Sequence, residues 1–344
     1  MLKKFPFPFL LLLLVATSLP TYVASAETPL ACVAPSKAPK DLGTLTLASI
    51  PANLPAAQWG IEQGCFKKYG LNIKVNTVAS TPIGMAGLVS GSFDLFMNTP
   101  SNLILFMANS DFAGKIVAPR HEYSAIELAR AKREPLYSGE LLLQTVVLVK
   151  KDSPIKSWKE LEKSKIGVKS FKGSDHAGIL LAMKANGANT SKTEFITLTD
   201  SQMGPALARG DVDAVVPSDP FATQIINDGA RVIGYPTAYY FEPGVAVAYI
   251  SSQDTVSKKS SAMRAFQKAV LEINLLLNLP ANDASYRKAI AKTTGISDES
   301  AAKLRLPTMS EKNVSFSEIA YIPNKLKSLG FIRSRVNLAP ILFR

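Results

Sequence analysis

Lys165-Ile166-Gly167-Val168-Lys169, the loop Lys172-Gly173-Ser174-Asp175-His176, the run Ala177 to Asn186 and the run Glu194 to Leu198 together decide the fold. A short β-branched run, a glycine loop, a helix-length run and a second short run read as one βαβ unit. A further helix ends in Ala208-Arg209-Gly210. It is followed by the strand-like Asp211-Val212-Asp213-Ala214-Val215-Val216 and by Asp219-Pro220-Phe221. This alternation predicts an α/β chain built on a parallel sheet. In such sheets ligands sit at the carboxyl ends of the strands, where helix N-termini present unpaired N–H groups. The Gly173-Ser174 loop falls at that edge.

The same pattern runs upstream. Leu45 to Ile50 reads as a strand that stops at Pro51, and Pro55 opens a helix over Ala56 to Tyr69 with Gly70 as its stop. Asn72 to Val78 and Phe93 to Met97 read as strands, with a short helix over Ile83 to Val89 between them. Strand ends thus run into polar, helix-starting loops at Ser49–Asn53, Ser80-Thr81 and Asn98-Thr99-Pro100-Ser101. The charge-rich segment Ala118–Glu140 reads as a surface connection, or as an extra helix between Ser124 and Arg133. Leu141 to Lys150 is an apolar strand, and Asp152-Ser153-Pro154 opens a helix through Trp158 and Leu161. After a strand at Gly244–Ser251 the pattern turns helical, over Lys258–Leu279, Ala284–Thr293, Asp298–Leu304 and Ser317–Leu329.

The beginning of the chain reads as an address. Lys3 and Lys4, the apolar run around Leu10–Val15 and Ala24-Ser25-Ala26 predict a signal peptide over residues 1–26, cleaved after Ala26. The expected location is periplasmic, and residues 27–41 form a flexible tail. Losing Lys3 and Lys4 lowers the formal net charge from +12 to +10. The 47% apolar content is ample for two lobes. No Lys/Arg block is interleaved with aromatics, so nucleic acid is not an expected partner. Cys32 and Cys65, the only cysteines, either pair in an oxidising compartment or stay free. The sequence has no Cys-x-x-Cys, His-Glu-x-x-His or Gly-x-Ser-x-Gly, so neither a metal, a cofactor nor a serine nucleophile is expected.

Four blocks in order carry a resemblance. They are Gly60-Ile61-Glu62-Gln63-Gly64-Cys65-Phe66-Lys67-Lys68-Tyr69-Gly70-Leu71, Leu88-Val89-Ser90-Gly91-Ser92-Phe93-Asp94-Leu95, Lys150-Lys151-Asp152-Ser153-Pro154-Ile155 and Ala206-Leu207-Ala208-Arg209-Gly210-Asp211-Val212-Asp213-Ala214. Together they resemble the bacterial solute-binding proteins of the sulfonate, nitrate and thiamin-pyrimidine type that serve ABC importers. The resemblance implies a periplasmic binding protein fold of type 2. Two α/β lobes, each a mainly parallel sheet flanked by helices, are joined by two crossovers, with a helical C-terminus. Residues 42–117 plus 246–344 would form the first lobe and 118–245 the second. A monomer would close on a small molecule and present it to a membrane permease, without covalent chemistry. Two alternatives share the fold: an enzyme similar to the fungal pyrimidine synthases of thiamin biosynthesis, and a sensory receptor using the same site.

Strand-end logic and the resemblance select the site. Lys172, Gly173, Ser174, Asp175 and His176 come first, because glycine admits a close backbone approach and the helix behind points its positive end at an acceptor. Ser49, Asn53, Thr81, Asn98 and Thr99 occupy the matching edge of the first lobe, and Asp219 follows a strand of the second. Each of these can equally cap a helix. Tyr235, with Tyr239, Tyr240 and Phe241, sits at the expected crossover, where aromatics stack on a planar ligand or pack a hinge. Arg120, Arg209 and Lys172 can neutralise an anion, whereas Asp175 favours a ligand with N–H donors. The expected solute is a planar nitrogen heterocycle such as a pyrimidine, or a small organic anion (sulfonate, nitrate or carboxylate).

Overall fold

The computed structural model describes residues 31–134, 141–333 and 336–344; the expected signal peptide and its cleavage site lie outside them. Among the described residues ten strands are found: β1 Thr44–Ser49, β2 Asn72–Thr77, β3 Leu95–Asn98, β4 Gly114–Tyr123, β5 Val147–Val149, β6 Lys165–Val168, β7 Glu194–Thr197, β8 Ala214–Val215, β9 Arg231–Gly234 and β10 Gly244–Ser252. They form two five-stranded sheets of one plan, β2-β1-β3-β10-β4 and β7-β6-β8-β5-β9. In the first, β1 runs parallel to β2 and β3, and β10 is the antiparallel strand between β3 and β4. In the second, β6 runs parallel to β7 and β8, and β5 is antiparallel between β8 and β9. The chain leaves the first sheet after β4 and returns before β10, so each sheet receives its antiparallel strand next to a crossing. Helices flank both sheets, as expected for the two-lobe α/β fold.

Local chemistry explains most element ends. Gly210, at φ 82°, ends the helix Asp200–Arg209 in the left-handed region that a side chain disfavours. The expected helix over 56–69 is two pieces, Pro55–Glu62 and Cys65–Lys68, because Gly64 at φ 73° breaks it. Ser124 opens Ala125–Arg133 with a capping box to Glu127, which gives the extra helix.

Three further expectations change. The stretch 141–150 pairs as a strand only over Val147–Val149. Leu141, Leu142 and Leu143 are buried, while Val146 and Gln144 make single bonds to Pro217 and Asp219 (3.3 and 2.8 Å). Apolar burial there is satisfied without a ladder. Instead of a helix through Trp158, a 3-10 turn spans Lys159–Leu161, ended close by at Lys163 with φ 63°. Finally, the segment that begins at Ala118 continues β4, which pairs along β10 to Tyr123.

The C-terminal helices cover the outer face of the first sheet. Ser260–Leu277 buries Phe266, Val270 and Ile273, with Phe266 stacked on Phe66 at 5.4 Å between centroids. Cys32 and Cys65 are joined in a disulfide, which ties the start of the described chain to the short helix Cys65–Lys68. Among the described residues no helix is long and apolar enough to cross a membrane.

Candidate functional site

A cavity of about 670 Å³ lies where the two sheets face each other, and both contribute to its walls. That size suits a small organic molecule. From the first sheet come Asn53 in the turn after β1, Thr81 in the first helical turn after β2, Asn98 and Thr99 at the end of β3, and Arg120, His121 and Tyr123 from β4. From the second come Lys169 after β6, Ser174 and Asp175 in the helix Ser174–Ala185, Asp200 after β7, Ser218 and Asp219 after β8, and Gln144 and Thr145 ahead of β5.

The second wall is an ionic network. Lys169 Nζ lies 3.0 Å from Asp175 Oδ2 and donates to Ser218 Oγ at 2.6 Å. Ser218 Oγ meets Thr145 Oγ1 at 2.9 Å, and its backbone N–H donates to Asp200 Oδ1 at 2.9 Å. Burial opposes the charge on Lys169, but Asp175 and Asp200 outweigh it and hold the ammonium above its ordinary pKa. Burial also lifts the Asp200 carboxyl above the usual range, against the pull of Lys169. Asp219 stands apart from this network. Its Oδ1 accepts from the Thr223 N–H and hydroxyl (3.0 and 2.8 Å), while the buried Oδ2 has no partner among the described residues. Burial pushes this carboxyl up to about 7, with the Thr223 bonds working the other way.

The first wall carries a cation with no counter-charge. Arg120 is 4% exposed, and among the described residues no carboxylate lies within ion-pair distance of it. One of its Nη atoms contacts His121 Nδ1 at 2.7 Å, and its Nε has no partner. A guanidinium only donates, so His121 Nδ1 accepts and the ring proton sits on Nε2. That Nε2 is buried without a partner too. Burial first, and Arg120 second, push the imidazole well below its ordinary pKa, so His121 is neutral. Nearby, Asn98 Oδ1 accepts from the Thr99 N–H and from Asn102 Nδ2 (2.7 and 2.8 Å).

Of the twelve residues expected in the site, Asn53, Thr81, Asn98, Thr99, Ser174, Asp175 and Asp219 line the cavity. Thr99 also caps its helix, accepting from Asn102 N at 3.2 Å, so capping and lining are not exclusive. The others lie elsewhere. Ser49 is buried behind the wall and donates to the Met97 carbonyl at 3.0 Å. Gly173 is the N-cap of Ser174–Ala185, and Lys172 holds φ 60° beside it. His176 Nδ1 accepts from Lys172 N at 2.9 Å, and its ring packs on Phe195 at 4.2 Å; burial, then Lys172, lowers its pKa to about 4. Tyr235 is fully buried, and its hydroxyl accepts from Leu142 N at 3.2 Å.

Lys169, Asp200 and His121 were not among the expected site residues. The strand-end rule would have found two of them, since Lys169 directly follows β6 and Asp200 starts the helix after β7. His121 lies within β4, where no local signal marks it.

The comparisons agree on the fold. No curated protein sequence matches the chain. Its structure is similar to the periplasmic aliphatic sulphonate binding protein SsuA from Escherichia coli, with 18% identity and TM-score 0.66 over 88% of this chain and 92% of that one. It is similar also to the periplasmic nitrate-binding protein NrtA from Synechocystis PCC 6803, with 15% identity and TM-score 0.66 over 87% and 84%. The desulfurization enzyme DSZB shares the fold as well, with 13% identity and TM-score 0.60 over 86% and 95%. A family model described as the NMT1-like family matches residues 38–294, most of the length, and the chain therefore belongs to the NMT1-like family.

Proposed function

We propose that this is an extracytoplasmic solute-binding protein, exported by its first 26 residues and released after Ala26 as a monomer. It captures a small polar molecule between its lobes and delivers it to an ABC permease in the inner membrane. The lobes are, in outline, 42–117 with 246–344 and 118–245. One observation carries the reading: Arg120, His121 and Asp219 surround a single two-walled cavity, and each keeps a buried polar atom without a protein partner. Native interiors satisfy such atoms, and where several converge on a cavity a ligand is the natural partner. Similarity of fold to sulphonate- and nitrate-binding proteins supports the same role. The solute is a planar nitrogen heterocycle of the pyrimidine kind or a small organic anion (sulfonate, nitrate or carboxylate), and the protein releases it unchanged.

The test is a thermal-shift and calorimetric screen of the chain from Glu27 against sulfonates, nitrate, aromatic carboxylates and pyrimidines. A solute at a hundred times its Kd stabilises by about 2.7 kcal/mol, enough to raise Tm by several degrees. Recovery of the unaltered solute after denaturation supports binding over turnover. Chemical conversion of the bound molecule would instead favour the enzyme reading, which the fold shared with DSZB keeps in view.

A further inference from the structure

We propose, resting on the solute-binding reading, that the solute is amphoteric: its carboxylate or sulfonate is received by Arg120 and His121, and an N–H donor on the same molecule by Asp219. The walls of the cavity call for both groups at once.

The two basic side chains of the cavity are in different states. Lys169 already has its charge paired with Asp175 and gives a second N–H to Ser218. Arg120 is engaged by the neutral His121 imidazole and by a hydrogen bond with the Tyr286 phenol, and among the described residues no carboxylate pairs with it. Burial keeps the Tyr249 and Tyr286 phenols protonated although the Arg120 charge pulls the other way. A buried guanidinium without a counter-ion is costly, and an oxyanion relieves that cost while accepting from Nε. His121 adds a second donor. With its Nδ1 occupied by Arg120, its Nε2–H is the free end of the ring, and it too calls for an acceptor.

Asp219 calls for the opposite. Thr223 saturates Oδ1, and once Asp219 is ionised, as it is near pH 8, Oδ2 is a buried acceptor that a donor satisfies. A purely anionic solute leaves Oδ2 orphaned and adds repulsion beside it. A neutral donor leaves Arg120 uncompensated. The volume of about 670 Å³ is larger than a bare oxyanion such as nitrate needs, and leaves room for both groups on one scaffold.

The experiment is isothermal titration near pH 8 with four probes. 3-Aminobenzenesulfonate and uracil-6-carboxylate carry both groups, benzenesulfonate carries the anion alone, and uracil the donors alone. At least one two-group probe is expected to bind about tenfold or more tighter than both single-group probes. Arg120→Gln is expected to remove its advantage over uracil. Asp219→Asn is expected to remove its advantage over benzenesulfonate, because Thr223 holds the amide oxygen at Oδ1 and turns the NH₂ toward the solute's donor. Circular dichroism checks the fold of each variant; if Arg120→Gln does not fold, Arg120→Lys keeps the charge without the planar fork and is expected to shrink the same advantage.

Uracil binding as tightly as the two-group probes would overturn the anion half, and benzenesulfonate doing so would overturn the donor half. If no probe binds but native mass spectrometry of the gently purified protein shows another small molecule retained, the amphoteric assignment falls and the solute-binding reading stands. If no probe binds and no solute is retained from a periplasmic extract, both fall.

Discussion

Lys169 Nζ lies 3.0 Å from Asp175 Oδ2, bridging the end of β6 to the first turn of the helix that follows it. The pair holds the floor of the cavity together, because the same ammonium also reaches Ser218 beyond β8. Lys169→Met strands Asp175 and Asp200 without their cation. Breaking one partner of a buried pair costs about 3 kcal/mol or more. A urea midpoint that falls accordingly, with the m-value unchanged, is the expected outcome. A midpoint within error of the parent would show that the pair contributes nothing to stability.

Asp219 makes stability fall as pH rises. Its folded pKa is raised to about 7, above the ordinary unfolded value of about 3.9, so the folded state holds a proton that the unfolded state has released between them. The stabilisation from that bound proton is complete below about pH 4 and gone above about pH 7, a swing of up to about 4 kcal/mol. Asp219→Asn cannot ionise and is expected to flatten this slope, gaining on the parent at pH 8 but not at pH 4.5 in urea melts. Parallel pH profiles for the two proteins would contradict the assignment.

The Cys32–Cys65 disulfide closes a loop with a sequence separation of 33. By loop-closure entropy such a cross-link stabilises by about 3 to 4 kcal/mol. Reduction, or the double substitution of both cysteines by serine, is expected to lower Tm by several degrees, read by circular dichroism with and without reductant.

Gly178 packs its helix on the second crossover. A Cβ there would meet the Pro236 carbonyl oxygen at 2.4 Å and its carbon at 2.7 Å, backbone atoms that cannot rotate away. Gly178→Ala is expected to cost about 1 to 3 kcal/mol and to weaken solute binding by moving the helix that carries Ser174 and Asp175. A melting curve and a titration of one variant read both effects. Gly187→Ala is the contrast: a Cβ would meet nothing within 4 Å, yet φ is 73°, so any cost there is backbone strain alone.

Much of this architecture is legible in the sequence because strands here announce themselves locally. Apolar runs such as Leu95–Met97 and Ile166–Val168 are short, and glycines stand where the backbone turns left-handed. β4 is the instructive exception. Lys115, Pro119, Arg120, His121 and Glu122 break its apolar pattern, and two of them line the cavity. A strand that carries site residues gives up the hydrophobic alternation by which a strand is recognised. The polar lining at strand ends was readable from strand-end position together with the family resemblance, which found Asn98, Thr99, Ser174 and Asp219. The engagement of Lys169 by Asp175 and Ser218 was not, since nothing local distinguishes a satisfied lysine from a free one. Nor could spacing reveal that Arg120 lacks a carboxylate among the described residues, a property of the assembled wall.

The interlaced strand order has a consequence for the order of assembly. Every strand of the second sheet lies in one uninterrupted stretch from Val147 to Gly234, whereas the first sheet lacks its β10 partner until Ser252 is available. A chain emerging N-terminus first therefore completes its inner half before its outer one. The early strands β1 to β4 wait without the neighbour that joins β3 to β4, a long-range closure of the kind that slows folding.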